Sequence, residues 1–337
     1  MGRSVSVGIV GCGPMGRELL RGAIGSGIAE VRALCDLEAE AMDAAAEVIG
    51  NASVARFMDY REMLAKTDCD GVIVAVPQYL HAEVSIAALQ AGRGVFCEKP
   101  MSLTVDDCRR MIAAAEAAGR ALMIGQVLRY LGPYRYIREL VASGELGKPR
   151  AMRVIRSMDH WRPEHNPWHC ARAESGGLLY EVNIHEIDLM LCVLGRAVRV
   201  TAQGDRLINL KVDYEDYISV GIEFEDGAIG HVTSSICDYL GRNAGEIFCE
   251  RGTVYYDSLT EDVRIRRPDG ETQVIPYSEI GKDYEPPIQR EVREFIEACR
   301  GDHPAPIPGI DGLRAVAVCQ AAYESAASGR SVDVVKD

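Results

Sequence analysis

The first 125 residues alternate between two hydrophobic patterns. Short runs rich in Val and Ile, VSVGIVG (5–11), VRALCD (31–36), GVIVAV (71–76), GVFCEKP (94–100) and ALMIG (121–125), are separated by stretches with helical spacing over 14–26, 38–49, 79–91 and 104–118. Apolar strands alternating with helices of this length predict βαβ units and a doubly wound parallel sheet. After residue 125 the pattern changes. An amphipathic helix is expected near 133–143, then the turn SGELGKPR and the strand AMRVIRS, and residues 157–175 are polar with little periodicity. From about 197 the period becomes two, in VRVTAQG, DYISVGIEFEDGAIGHVTSSI, EIFCERGTVYYD and DVRIRRPDGETQVIPY, with EDG and PDG as hairpin turns. These runs predict an antiparallel sheet, and helical spacing returns over 286–300 and 310–329. There are no internal repeats.

One helix breaks the rule that a buried element is apolar. GGLLYEVNIHEIDLM (176–190) reads as a core helix, yet Glu181, His185 and Asp188 fall at i, i+4 and i+7, forming one polar stripe among Leu, Val and Ile.

Composition narrows the function classes. The chain has 337 residues, 47% of them hydrophobic, enough for two domains. Fifty acidic against 37 basic residues give a net charge of -13, which disfavours nucleic acid and anionic lipid as partners. Eleven cysteines without a CxxC argue against a disulfide framework or a sequence-local thiolate zinc site, so reduced, mostly buried thiols are expected. No apolar run reaches membrane-spanning length and no signal-peptide core precedes the first strand, so the expectation is a cytoplasmic protein.

The chemistry begins at VGIVGCGPMGRELL. Gly11, Gly13 and Gly16 form a GxGxxG between a strand and a helix, and the next strand ends in Asp36, twenty residues past Gly16. In that context Gly11 permits the tight turn, Gly13 lets backbone N–H groups approach a pyrophosphate, and Gly16 lets helix pack on strand. Asp36 can accept from the adenosine ribose hydroxyls, and no Arg or Lys among residues 37–40 offsets its repulsion of a 2'-phosphate. NAD is therefore expected in preference to NADP. Residues 1–125 are read as the dinucleotide-binding Rossmann domain and 126–337 as a second, substrate-binding domain. Ligands of open α/β sheets bind beyond the carboxyl ends of the strands. Pro14, Met15, Val76, Pro77, His81, Glu98 and Lys99 are accordingly expected around the cofactor, although His81 also suits a cap or packing role.

The ordered set GCGPMG, CD, VAVPQYLHAE, AGRGVFCEKP, GQVLRY, SGGLLYEVNIHEIDLM and AYESAASGRSVDV resembles the glucose-fructose oxidoreductase and inositol dehydrogenase family, Gfo/Idh/MocA, over nearly the whole chain. The resemblance implies a Rossmann domain followed by an α/β domain with a large, open, mainly antiparallel sheet. That sheet often makes oligomers, so a homo-oligomer, dimer or tetramer, is expected. It also implies NAD(P)-dependent chemistry at a carbinol carbon of a sugar, cyclitol or amino sugar. It further places Lys99 at nicotinamide and substrate, usually with a cis bond before the following Pro100. The family helix commonly reads GGGxLxDxGxHxxD. Here His185 and Asp188 match, whereas Glu181 stands for the Asp, Asn183 for the Gly and Ser175 for the first Gly, and Gln78 stands where Asn is frequent.

Together these residues give a site. His185, titrating near neutral pH, can take and return the hydroxyl proton, Glu181 can orient it or bind a neighbouring hydroxyl, and Lys99 can stabilise a developing alkoxide. The alternative is a hydrogen-bonded core histidine among solvated acids. Trp161 and Trp168, whose aromatic faces suit the C–H faces of sugars, fall in MDHWRPEHNPWHCARAES together with His160, His165 and His169. Those histidines have no helix-face ligand spacing, and no metal is expected. Arg129, Tyr130, Arg156 and Asn183 complete the expected substrate lining, with structural ion pairing the alternative for the arginines. Other functions remain open: an NAD-tethered glycosidase or isomerase without net redox, or a noncatalytic NAD-responsive binding module.

Overall fold

A computed structural model describes residues 4–158, 167–209, 211–281 and 285–336. Trp161, His160 and His165 lie outside the described residues. Two compact units are formed, Met1–Val127 with Glu285–Leu313, and Leu128–Tyr284 with Arg314–Asp337.

The first unit contains β1 (Val5–Val10), α1 (Pro14–Gly25), β2 (Ala29–Cys35), α2 (Ala39–Ile49), β3 (Ala55–Phe57), α3 (Tyr60–Lys66), β4 (Gly71–Val74), α4 (His81–Gln90), β5 (Gly94–Glu98), α5 (Val105–Ala118) and β6 (Leu122–Gly125). Its six strands are parallel, in the order β3-β2-β1-β4-β5-β6. This order reverses direction between β1 and β4, which makes the switch point where a doubly wound sheet binds its ligand. Strands β1, β4 and β5 are buried along their whole length, as a parallel sheet covered on both faces requires. Strand β3 and helix α3 are additions to the expected elements.

The second unit contains α6 (Gly132–Ser143), β7 (Pro149–Ser157), α7 (Arg172–Ser175), α8 (Ile184–Leu194), β8 (Ala197–Asp205), β9 (Tyr217–Phe224), β10 (Ile229–Ser235), β11 (Arg242–Cys249), β12 (Gly252–Tyr256), β13 (Val263–Arg266), β14 (Thr272–Ile275) and α9 (Tyr277–Ile280). Beyond it run α10 (Pro287–Arg300), α11 (Gly309–Ser328) and β15 (Val332–Asp333). The nine-stranded sheet runs β14-β13-β12-β11-β7-β10-β9-β8-β15, antiparallel except where β7 pairs with β10. The two expected hairpin turns are present, with Gly227 and Gly270 at φ of 76° and 89°, a region that favours glycine. Helix α8 packs on β7 and β10.

Helix α10 packs against α1, β1 and β5, and so belongs to the first unit although it follows the second sheet in sequence. Glycines open the space for it. A Cβ at Gly22 would lie 3.0 Å from the Ile288 carbonyl, and one at Gly94 would lie 2.6 Å from Cys299 Sγ. Phe295 fills the gap edge-on to Phe96, with ring centroids 5.7 Å apart. All eleven cysteines are thiols, and burial drives those of Cys12 and Cys35 up to about 12. Among the described residues, no helix is long and apolar enough to cross a membrane.

Candidate active site

At the nucleotide end, each glycine of the turn has a different physical reason. Gly11 has φ of 98°, and a Cβ there would sit 2.2 Å from the Ala75 carbonyl oxygen. A Cβ on Gly16 would lie 2.0 Å from the Gly11 oxygen, so α1 can approach β1 only with glycine at that position. Gly13 is different. Its φ of -62° suits any residue, and a Cβ would meet nothing within 4 Å. The protein itself does not require glycine there, whereas a ligand lying against the backbone would. Helix α1 starts on Gly13 with Pro14 in its first turn and no side-chain cap, so its leading N–H groups point outward and fit an anion. Pro14 and Met15 are exposed on the same turn.

Asp36 follows β2 and accepts from the Cys12 N–H at 2.7 Å and the Glu38 N–H at 3.0 Å. Each carboxylate oxygen has a further lone pair, so fixation by the backbone is compatible with holding ribose hydroxyls. Gly11, Gly13, Gly16 and Asp36 are thus brought into one cradle. These residues fit a dinucleotide.

Beyond β4 and β5 the arrangement departs from expectation at His81. Its ring is buried, with Nδ1 2.7 Å from the Pro100 carbonyl and Nε2 2.9 Å from the Val76 carbonyl. Both nitrogens are occupied by the backbone, so His81 ties the two strand-end loops together and does not offer a ring nitrogen to the cofactor. Val76 and Pro77 are half-buried at one of these loops, and Gln78 is buried behind them. Half-buried Lys99 follows Glu98 at the other, and the Lys99–Pro100 bond is cis. Glu98 accepts the Lys99 N–H at 3.1 Å. Burial pushes the Glu98 carboxyl up to about 7, against the Lys99 charge and that N–H, which pull it down.

In the second unit the polar stripe divides its labour. The chain enters through Gly176 and Gly177, at φ of 76° and 85°, with Ser175 Oγ accepting the Gly177 N–H. Residues Leu179–Asn183 form a π-turn, and α8 starts at Ile184. The expected single α-helix from 176 is therefore interrupted, and the i, i+4 register between Glu181 and His185 is altered. A π-turn inserts one residue into the helix and is frequent at functional sites. Tyr323 holds its start by accepting the Leu179 N–H at 2.9 Å.

Asp188 takes Arg129 bidentately, at 2.6 and 2.5 Å, with both side chains buried. Arg156 donates to Glu186 at 2.6 Å, and the Tyr134 hydroxyl donates to the same oxygen at 2.9 Å. Both arginines expected to line the substrate are thus engaged by carboxylates that anchor the helix. Asn183 is fully buried, and its Oδ1 accepts from Ser234 on β10. Tyr130 is half-buried beside Arg129. Glu181 lies against His169, with Nδ1 3.0 Å from Oε1, and Trp168 stacks on that imidazole. His185 is on the first turn of α8, 7% exposed. Sequence reasoning missed Glu186 and the partnership of His169. The available signal for Glu186 was a carboxylate within a run that must be buried, which requires a cation elsewhere in the chain.

Two family models match this chain. Residues 5–126 match the oxidoreductase family NAD-binding Rossmann fold, and residues 134–255 match the GFO/IDH/MocA C-terminal domain. The chain belongs to the GFO/IDH/MocA oxidoreductase family. It is 29% identical to inositol 2-dehydrogenase 3 of Saccharopolyspora erythraea, over 98% of this chain and 96% of that one. It is 26% identical to 1,5-anhydro-D-fructose reductase of Ensifer adhaerens, over 97% and 98%. Its fold also matches the WlbA dehydrogenase of Bordetella pertussis in complex with NADH and UDP-GlcNAcA, with a TM-score of 0.89, 24% identity and coverage of 100% and 99%. The chain is an NAD-binding Rossmann oxidoreductase of that family.

Proposed function

We propose that this protein is an NAD-dependent dehydrogenase that oxidises a secondary hydroxyl of a sugar or cyclitol, or reduces the corresponding ketone. The observation that carries the reading is the open glycine cradle at Gly13 in the first unit, whose β5 is followed by Lys99; the second unit by itself carries His185 on an anchored helix. Bound in the cradle, the dinucleotide supplies the hydride acceptor. Lys99 acts as the cation that stabilises negative charge developing on the substrate oxygen, and His185 takes and returns the hydroxyl proton. The Asp188–Arg129 and Glu186–Arg156 pairs fix the helix that carries the imidazole. The relatives named for inositol and anhydrofructose support a polyol as substrate.

NAD is preferred over NADP in this reading. Asp36 places its charge beside the Cys12 and Glu38 N–H groups, where a 2'-phosphate would have to lie against a carboxylate. The test is absorbance at 340 nm with NAD or NADP against cyclitols, sugars and amino sugars. A rise with NAD and one polyol class is expected. Lys99→Ala and His185→Ala should each lower kcat by roughly 10²–10⁴-fold while NAD still binds. Turnover unchanged in either variant removes that residue from the mechanism, and equal turnover with NADP removes the role given to Asp36.

A further inference from the structure

The carboxyl end of β5 carries an acid that the chemistry proposed above does not use. Glu98 closes the strand at 9% exposure, and among the described residues the one hydrogen bond it accepts is from the Lys99 N–H at 3.1 Å. An ionised carboxylate has room for about four. We propose that Glu98 senses the redox state of the bound cofactor: its carboxyl releases a proton when the cationic nicotinamide ring of NAD⁺ arrives, and keeps that proton beside the neutral ring of NADH. This rests on dinucleotide binding by the first unit and not on which polyol is oxidised.

The sheet decides the placement. Asp36 after β2 and the start of α1 suit the adenosine and the pyrophosphate, so the nicotinamide falls to the other half of the doubly wound sheet, beyond β4, β5 and β6. His81 ties the loops that follow β4 and β5 through the Val76 and Pro100 carbonyls, which fixes the chain around Glu98. The register partner of Glu98 on β6 is Gly125, where a Cβ would lie 3.2 Å from both Cδ and Oε1 of the carboxyl. Glycine at 125 therefore leaves the space that the carboxyl occupies without supplying a donor from a side chain. The charge that acts on Glu98 is Lys99, and the Cys97 thiol before it is pushed up to about 12 by burial and stays neutral. The flanking strands, LMIG in β6 and GVIV in β4, carry no titratable side chain. Burial outweighs the Lys99 charge and holds the carboxyl at about 7, so the cofactor-free protein is about nine-tenths protonated there at pH 6 and about one-tenth at pH 8. An opposite charge brought within about 4–6 Å favours the carboxylate by about 10- to 1,000-fold, whereas a neutral ring adds no charge. The two forms of the cofactor thus differ in what they ask of one buried proton.

Calorimetry of the whole protein with NAD⁺ and with NADH, in buffers of different ionisation enthalpy, counts that proton. At pH 7 NAD⁺ should release about half a proton more than NADH does. Between pH 6 and pH 8 the Kd for NAD⁺, relative to that for NADH, should fall about 10-fold, because the proton to be displaced is already gone at the higher pH. In E98Q both differences should vanish while both forms still bind. Equal proton release for the two forms in wild type, or a difference that survives in E98Q, overturns the proposal. Infrared difference spectra of wild type make the same decision without a variant. The protonated-carboxyl band should weaken on adding NAD⁺ and hold on adding NADH, and a band that NAD⁺ leaves unchanged overturns the assignment. None of these measurements contains a substrate, so failure of every polyol at 340 nm would remove the dehydrogenase reading and leave the role of Glu98 to be decided here.

Discussion

Replacing Asp188 with Asn tests whether the second unit depends on a matched charge in its interior. Arg129 and Asp188 are 8% and 3% exposed at their side chains, and the pair is bidentate. Removing the carboxylate charge leaves a guanidinium that can neither reach water nor shed its proton. Breaking a buried pair of this kind costs about 3–5 kcal/mol, a large share of the roughly 5–15 kcal/mol by which a domain is stable. With a urea m-value of about 3 kcal/mol/M, the midpoint should fall by about 1–1.7 M. The double variant R129M/D188L removes both charges and should recover most of the loss, because the penalty lies in the uncompensated cation and the pair itself contributes little net stability. Urea unfolding followed by circular dichroism measures all three proteins. A midpoint for D188N within error of wild type, or a double variant no better than D188N, refutes the argument.

Gly13→Ala should fold normally and weaken NAD binding at least 10-fold by calorimetry, because its Cβ meets no protein atom but enters the space above the turn. Gly16→Ala should instead impair folding, since its Cβ overlaps the Gly11 carbonyl. Wild-type affinity in Gly13→Ala would sink the cradle assignment. Glu98→Gln probes the raised carboxyl. The folded protein holds the Glu98 proton more tightly than the unfolded chain does, so this contribution is full below the ordinary value of 4.5 and is lost as pH rises through about 7. The variant should therefore be less sensitive to pH across that window and gain up to about 3 kcal/mol relative to wild type above it, by urea unfolding. Parallel pH profiles for the two proteins would contradict the assignment. Tyr323→Phe keeps the parallel stack on Tyr180 but removes the acceptor for the Leu179 N–H, and should cost about 1–3 kcal/mol. A loss below about 0.5 kcal/mol would show that the π-turn does not need this anchor.

The parallel sheet was legible because its central strands are buried on both sides and so appear as short, largely apolar runs rich in Val and Ile. Strand β3 lacks that signal. It is a three-residue edge strand with Arg56 at its centre and two exposed positions. Helix α10 was legible as a helix but not as a neighbour of α1, since amphipathic spacing shows that a face is buried and not what buries it. The glycine turn was the most readable part of the site because Gly11 and Gly16 answer to backbone geometry within a few residues or on an adjacent strand. Charge partners were the least readable. Arg129 and Asp188 are 59 positions apart, and Arg156 and Glu186 are 30 apart. Nothing in the local pattern separates an arginine that will bind substrate from one that will compensate a carboxylate. The π-turn was equally hidden, because one inserted residue changes which side chains share a face without changing how apolar the stretch is.

The carboxylates around α8 explain why the helix can be both buried and polar. Glu186 and Asp188 are two negative charges on an element surrounded by apolar side chains, a placement that is costly unless each charge is compensated. Arg156 with Tyr134 meets the first and Arg129 meets the second, so neither carboxylate requires substrate to justify its burial. Glu181 meets an imidazole, a partner that carries charge only when protonated. His185 needs no countercharge to be buried as a neutral ring, and it can still accept a proton. The polar stripe therefore contains two kinds of residue. Its permanently paired ions hold the helix in place, and its imidazole at His185 is the group that can exchange a proton without breaking either pair.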